Sequence, residues 1–374
     1  MEAVKRVLRL GVKELWSLWR DPIMLALIVW TFSVAIWIAA TARPDTLTHA
    51  ALAIVDEDVS QLSLRLRQAF APPQFNPPAL LTHDAIDATL DAGRHTFVLV
   101  IPASFQRNVL AGRQPALQLN VDATRMSQAF TGSAYIQQIA QGEIAEFLQR
   151  YRGTPTAPVE LALRARFNPA LSERWFGGVM ELVNNVTMVS VILAGAALIR
   201  EREHGTVEHL LVMPVTPLEI LLAKVWSMGA VVLLAALLSL VFVVRGALGV
   251  PVEGSVALFL CGTALHLFAT TSLGVLMATL ARSMPQFGLL VILVLLPLEM
   301  LSGATTPRES IPFAVRQLML LAPTTHYVEL AQAVLYRGAG LEVVWRPCVA
   351  LAAIGAGLFV LTLTRFRHAM ATGL

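Results

Sequence analysis

Charge is scarce in this 374-residue sequence. Asp, Glu, Lys and Arg together make up 14% of it, where a soluble domain carries about 25%. That deficit, set beside 56% hydrophobic residues gathered into several long runs, excludes an ordinary soluble globular protein and indicates a polytopic membrane protein. Lysine is nearly missing, occurring only as Lys5, Lys13 and Lys224. The net charge of +3 is small and dispersed, and no basic patch is interleaved with aromatics, so nucleic acid is not an expected partner. The two cysteines, Cys261 and Cys348, both fall in apolar runs. They give no disulfide framework and read as small buried apolar residues. No Gly-x-x-x-x-Gly-Lys-Ser/Thr phosphate loop occurs, so ATP is not expected to bind this chain in that manner. Metal-ligand spacing is also lacking. Glu203-His204 and Glu208-His209 repeat a pair at an interval of five, which places them on different faces of a helix. A Gly-x-Ser-x-Gly nucleophile elbow is absent too.

What is present reads as an α-helical polytopic membrane protein with six transmembrane helices and a small α/β domain inserted between helices one and two. Residues 1–21 alternate Lys5, Arg6, Arg9, Lys13 and Arg20 with Val4, Leu8, Val12, Leu15 and Trp16. This is the pattern of an amphipathic helix lying on the membrane surface. Residues 22–40 are the first span, whose nineteen residues at about 1.5 Å each nearly match a hydrocarbon core of about 30 Å. Ala40-Thr41-Ala42 offers a signal-peptidase pattern, but the apolar run exceeds a signal core of about 7–15 residues. Residues 41–175 are the one substantial hydrophilic region. Strand, helix and turn signals alternate there, with strands expected at Ala51–Val55, Thr96–Ile101 and Leu117–Val121 and a long helix over 127–151, an alternation that favours an α/β domain. The Asp122–Phe130 stretch, where a strand hands over to that helix, reads as a capped helix start in preference to a contact surface. Residues 176–199 are the second span and 218–374 hold spans three to six. Two short helices within about 306–337 are too short to cross and suit re-entrant pieces buried in protein.

Between spans two and three lies a short polar link, residues 200–217. Val207, Leu210, Leu211 and Pro214 fall at i, i+3, i+4 and i+7, one apolar face of a two-turn helix. Thr216-Pro217-Leu218-Glu219 then restarts a helix with a capping box and a proline at the first helical position. Basic residues gather on this side: Lys5, Arg6, Arg9, Lys13 and Arg20 at the N-terminus, Arg200, Arg202 and Lys224 around the link, Arg282 in a later turn and Arg365 and Arg367 in the tail, against Arg245 on the short opposite turn. The positive-inside rule therefore places both termini and the link in the cytoplasm.

The link resembles the signature of type-2 ABC exporter permeases. Glu201, Arg202, Glu203, Gly205, Thr206, Glu208, Leu210, Leu211 and Pro214 carry the resemblance without a gap, and the span layout extends it to the whole chain. The resemblance implies that this link is the coupling helix, with Val207, Leu210 and Leu211 filling a cleft in a separate ATPase subunit and Glu201, Arg202, Glu203 and Glu208 setting charged contacts around it. ATP and Mg would sit on that partner, with no cofactor and no enzymatic activity on this chain. It further implies a second permease copy or paralogue, a bacterial inner-membrane location, a periplasmic domain at 41–175 resembling that of drug-efflux systems, and docking of a periplasmic adaptor. Export of a lipid or polysaccharide is the alternative cargo, and a membrane sensor with a periplasmic ligand-binding domain the alternative class.

Polar groups inside the apolar runs mark candidate positions on the translocation path, because such groups are costly in lipid and face protein or a cavity. Glu181, Asn184 and Asn185 share a face of the second span, and Glu299, His326 and Glu329 cluster near the outer ends of the later helices. The competing reading of the Asn residues is polar glue between helices.

Overall fold

The computed structural model describes residues 2–42, 49–122, 126–152, 173–203, 215–306 and 308–371. The chain divides into two compact units, one formed by Met1–Arg43 with Ala165–Leu374 and the other by Pro44–Arg164.

The second unit is α/β. Its strands are β1 (Leu52–Asp56), β2 (Ala79–Leu80), β3 (Phe97–Ile101) and β4 (Gln118–Val121), in the order β2-β1-β3-β4. β1 pairs in parallel with both β2 and β3, and β4 runs antiparallel to β3. Alternate side chains leave opposite faces of a strand, and here both faces are apolar. Leu52, Ile54, Phe97, Leu99 and Ile101 enter one core with Ile136, Ala140 and Phe147 of a long helix. Ala53, Val55, Val98 and Val100 enter a second core with Ile86. The Asp56-Glu57-Asp58 turn after β1 is built for capping: Asp56 accepts the N–H groups of Asp58 and Val59 and the hydroxyl of Ser63, and Asp58 accepts the N–H of Gln106. Within 122–130, Asp122 donates its N–H to Thr96. Residues 123–125 lie outside the described residues.

The first unit is helical. We number its helices apart from those of the α/β unit: α1 Glu2–Trp19, α2 Pro22–Thr41, α3 Glu173–Glu203, α4 Pro217–Ala247, α5 Val256–Leu280, α6 Met284–Met300, α7 Phe313–Met319, α8 Pro323–Ala331 continued by a π-helical turn Gln332–Tyr336, and α9 Leu341–Ala371. Five of them, α2, α3, α4, α5 and α9, are long and apolar enough to cross a membrane. α6 is apolar but has 17 residues, about 26 Å of helix.

The spans are unequal in burial. In α3 83% of the apolar window is buried and in α9 22%, so α3 is the central helix of the unit and α9 lies at its edge. α3 packs against α2, α4, α5 and α6. Close approach of α3 to α5 requires glycine. A Cβ on Gly274 would strike the Val191 carbonyl, and one on Gly195 would meet the Phe287 ring and the Gly274 carbonyl. The capping box read from sequence holds: Thr216 and Glu219 cap α4 reciprocally. At the start of α6, Ser283 accepts the N–H of Gln286. The two short helices within 306–337 are α7 and α8, and Pro323 is the first residue of α8, where a missing N–H costs nothing and the fixed φ suits the helix.

Candidate coupling site and translocation path

The residues flanking the 204–214 link are held by charge. α3 ends in Arg200-Glu201-Arg202-Glu203, and each of these side chains has a partner within the chain. Glu201, 9% exposed, receives Lys13 Nζ at 2.8 Å and Lys224 Nζ at 2.6 Å. Lys224, 1% exposed, also reaches Glu14 Oε1 at 3.1 Å. Two ammonium groups thus neutralise two carboxylates at the junction of α1, α3 and α4. Burying ions costs several kcal/mol each unless the partners are well placed, and the near-complete pairing offsets that cost. Burial pushes the Glu14 carboxyl up from its ordinary range, with Lys224 opposing. Burial alone would lower Lys13, but Glu201 and Glu14 raise it instead.

The neighbouring contacts widen the clamp. Arg6 pairs with Glu219 at 2.7 Å, next to the α4 cap. Arg200 pairs with Asp21, whose other oxygen caps the start of α2. Arg202 donates to the Ala281 carbonyl, and Glu203 accepts the Met284 N–H at 3.0 Å, which ties α3 to the α5–α6 turn. Trp226 lies over Gly11, where any Cβ would overlap its indole, and donates to the Val7 carbonyl. Gly205, Thr206, Val207, Glu208, Leu210, Leu211 and Pro214 lie outside the described residues. The structure therefore engages Glu201, Arg202 and Glu203 internally and describes the frame on both sides of the link.

At the other end of α3 the path candidates separate into different roles. Phe176 and Glu201 are 25 positions apart, about 38 Å along the helix. Asn185 is buried and donates to the Thr31 carbonyl at 2.9 Å, so it joins α3 to α2 at a π-helical turn. Asn184 and Glu181 are half-buried on the same helix. Glu181 lies within electrostatic reach of Glu299 near the end of α6. His326 Nε2 meets the Leu320 carbonyl at 2.9 Å, and Glu329 is exposed and pairs with Arg308 at 3.2 Å. Glu329 lines a cavity of about 420 Å³ together with Phe176, Arg308, Thr325, Gln332 and Arg337. Beside it a second cavity of about 260 Å³ is lined by Trp175, Phe176, Val250, Pro251 and Tyr336. The arrangement gives a central helix anchored by charge at one end and bordered by cavities at the other.

Comparison with known proteins agrees with this architecture. Residues 16–364 match the ABC-2 family transporter proteins. The chain belongs to the ABC-2 transporter family. Among relatives, it is 59% identical over 372 residues to the inner membrane transport permease YhhJ of Escherichia coli (strain K12), covering 100% of both chains. It is 29% identical over 349 residues to the probable multidrug ABC transporter permease YbhR of the same strain, covering 92% of this chain and 93% of that one. Its identity to the probable multidrug ABC transporter permease YbhS is 27% over 360 residues, 89% of each. Membership makes the chain a membrane permease of an ABC transport system, a class that works with an ATPase partner.

Two features of this ABC-2 permease were not singled out as site residues from its sequence. One is the Lys224–Glu14 pair, whose partners are 210 positions apart. The available signal was a lysine inside an apolar helix, which demands a buried counter-charge. The other is a polar seam through the bundle. His266 Nε2 meets Thr187 Oγ1 at 2.8 Å, Ser190 donates to Thr270 at 2.6 Å, and Thr263 meets the Tyr327 hydroxyl at 3.0 Å. The His266 and Tyr327 rings stack at 4.0 Å. His266 and the Thr270-Thr271-Ser272 cluster stand out in the sequence as interruptions of an apolar run, but their partners on α3 and α8 do not.

Proposed function

We propose that this ABC-2 protein is the membrane-spanning subunit of an ATP-driven exporter of amphipathic small molecules, and that the 200–217 link is its coupling helix. The observation carrying the reading is the Lys13–Glu201–Lys224–Glu14 cluster, which binds α1, α3 and α4 together on both sides of the link. A link between unanchored helix ends would absorb a push by bending. Between ends held by buried ion pairs, it passes the displacement into α3, the central helix, whose far end borders the outer cavities. Such coupling needs two sites and a two-state element between them.

In this reading Val207, Leu210 and Leu211 enter the ATPase cleft, Glu208 lies at its rim, Gly205, Thr206 and Pro214 shape the link, and Glu201, Arg202 and Glu203 act as anchors. Glu181, Asn184, Asn185, Glu299, His326 and Glu329 belong to the path or to the walls that support it. The protein lies in a bacterial inner membrane with both termini cytoplasmic. Residues 41–175 are periplasmic, α6 supplies a sixth span, and the helices within 306–337 are re-entrant from the outer side. ATP and Mg are held by the partner ATPase, a second permease copy or paralogue completes the pathway, and the periplasmic domain receives an adaptor. The cargo class rests on the multidrug names of the two more distant relatives.

Reconstitution tests this. The permease co-expressed with the ATPase of its genomic neighbourhood is placed in proteoliposomes with the ATPase side outward. ATP is expected to drive an amphipathic dye into the lumen. An assembled complex that hydrolyses ATP but moves none of a panel of amphipathic dyes would contradict the cargo assignment.

A further inference from the structure

The two cavities at the end of the helical unit opposite the charge cluster share Phe176, Gln332 and Arg337, so they form one site with two chemically different halves. The smaller half is apolar and aromatic. Phe176 stacks on Tyr336 at 5.9 Å, Trp175, Val250 and Pro251 complete the wall, and the Tyr336 hydroxyl is spent on the Phe176 carbonyl. The larger half is polar. Arg308 lines it beside its partner Glu329, and Arg337 lines both halves. Among the described residues Arg337 has no carboxylate partner. Among the described residues that line it, one carboxylate stands against two guanidinium groups.

An independent observation bears on the ligand. Thr325 lines the larger half, is 1% exposed, and its Oγ1 has no hydrogen-bond partner among the described residues. A buried hydroxyl left unpaired costs about 1–3 kcal/mol, so a bound group that accepts from it would be stabilised by that contact. A hydroxyl can donate to an oxyanion, and the Gln332 amide, now in long contacts of 3.5 Å or more to Gly303 O and Met180 Sδ, can turn to do the same.

We propose that this two-part cavity binds an amphipathic anion. Its anionic group is held by Arg337, Arg308 and Thr325, and its apolar body lies against Trp175, Phe176 and Tyr336. The volumes, about 420 and 260 Å³, fall in or near the range of small-molecule sites, roughly 300–1,000 Å³. The required chemistry, a carboxylate, sulfonate or phosphate on an apolar chain, is shared by diffusible amphiphiles and by anionic lipid headgroups. The inference deepens the proposed cargo class and does not depend on ATPase coupling.

The test uses the full chain in phosphatidylcholine nanodiscs without ATPase. The probe is 11-(dansylamino)undecanoic acid, read by energy transfer from tryptophan, beside an analogue of the same chain ending in a quaternary ammonium. Saturable binding of the carboxylate is expected, with the ammonium analogue at least about tenfold weaker. Removing one charge-assisted hydrogen bond by Arg337→Gln should weaken the carboxylate about tenfold or more, and Thr325→Val about threefold to tenfold. Arg316→Gln, outside the cavities, should leave binding unchanged and controls for loss of net charge. Doping the nanodiscs with phosphatidylglycerol separates the sources. Displacement of the probe identifies a lipid headgroup as occupant, and retention identifies a diffusible anion. Equal affinity of wild type and Arg337→Gln, equal affinity for the cationic analogue, or no saturable signal overturns the site. A chain that couples to its ATPase but fails these tests loses only this inference, and one that binds the probe but never couples loses only the exporter reading.

Discussion

At the residue scale the decisive group is Lys224. It is buried in an apolar helix and is tolerated because Glu201 and Glu14 meet it. Removing one member of a buried ion network leaves an uncompensated charge, so Lys224→Met should destabilise the protein by about 3–5 kcal/mol, read as a lowered unfolding midpoint in detergent. Lys13 is half-exposed, and solvent screens its pairs, so Lys13→Met should cost about 1 kcal/mol or less. Equal losses for the two would remove Lys224 from its central place. A second residue-scale expectation concerns pH. His95 in the α/β unit is lowered from its ordinary value by burial and by the neighbouring Arg94, and its Nδ1 meets Thr89 Oγ1 at 3.1 Å. A histidine lowered in the folded state favours its neutral form there. The stability it contributes is present above the unfolded value of about 6.5 and is lost as pH falls below it. Hydrogen exchange at Phe97–Ile101 should therefore quicken between pH 7.5 and 5.5, beyond its intrinsic pH dependence, and the effect should be absent in His95→Asn.

At the element scale the close packing of α3 and α5 rests on Gly195 and Gly274. Gly274→Val should force the helices apart at about 1–3 kcal/mol or more, measured by the folded fraction in size-exclusion chromatography. Gly229→Ala should be tolerated, because its Cβ would lie 3.8 Å from Leu267. The same scale separates what the sequence discloses from what it hides. Caps are local, so Thr216-Pro217-Leu218-Glu219 was readable from spacing alone. Strand positions in the α/β unit were readable to within a residue, because β-branched runs bounded by turn residues carry a local signal. β2, with two residues, is too short to carry one. The anchoring role of Glu201, Arg202 and Glu203 was hidden for another reason: their partners are Lys13, Lys224, the Ala281 carbonyl and the Met284 N–H. Sequence gives the chemistry of a side chain but not which distant group it meets.

At the scale of the whole molecule, this ABC-2 permease has a helical unit with a mostly buried central helix, α3, and an α/β unit with its own two-sided core. The charge cluster is at one end of α3 and the amphipathic cavities are at the other, so a displacement applied beside the cluster has a continuous helix through which to travel. The central claim is that the link after Glu203 receives that displacement from an ATPase. The most direct test is affinity purification of the tagged full chain, co-expressed with its neighbouring ATPase, as wild type and as Leu210→Asp. The account predicts a wild-type permease that retains an ATP-hydrolysing subunit at near one-to-one ratio, and a Leu210→Asp permease that is folded in the membrane but comes without it, since a charge buried in an apolar contact is strongly unfavourable. A Leu210→Asp permease that keeps the ATPase at the wild-type ratio would contradict the account.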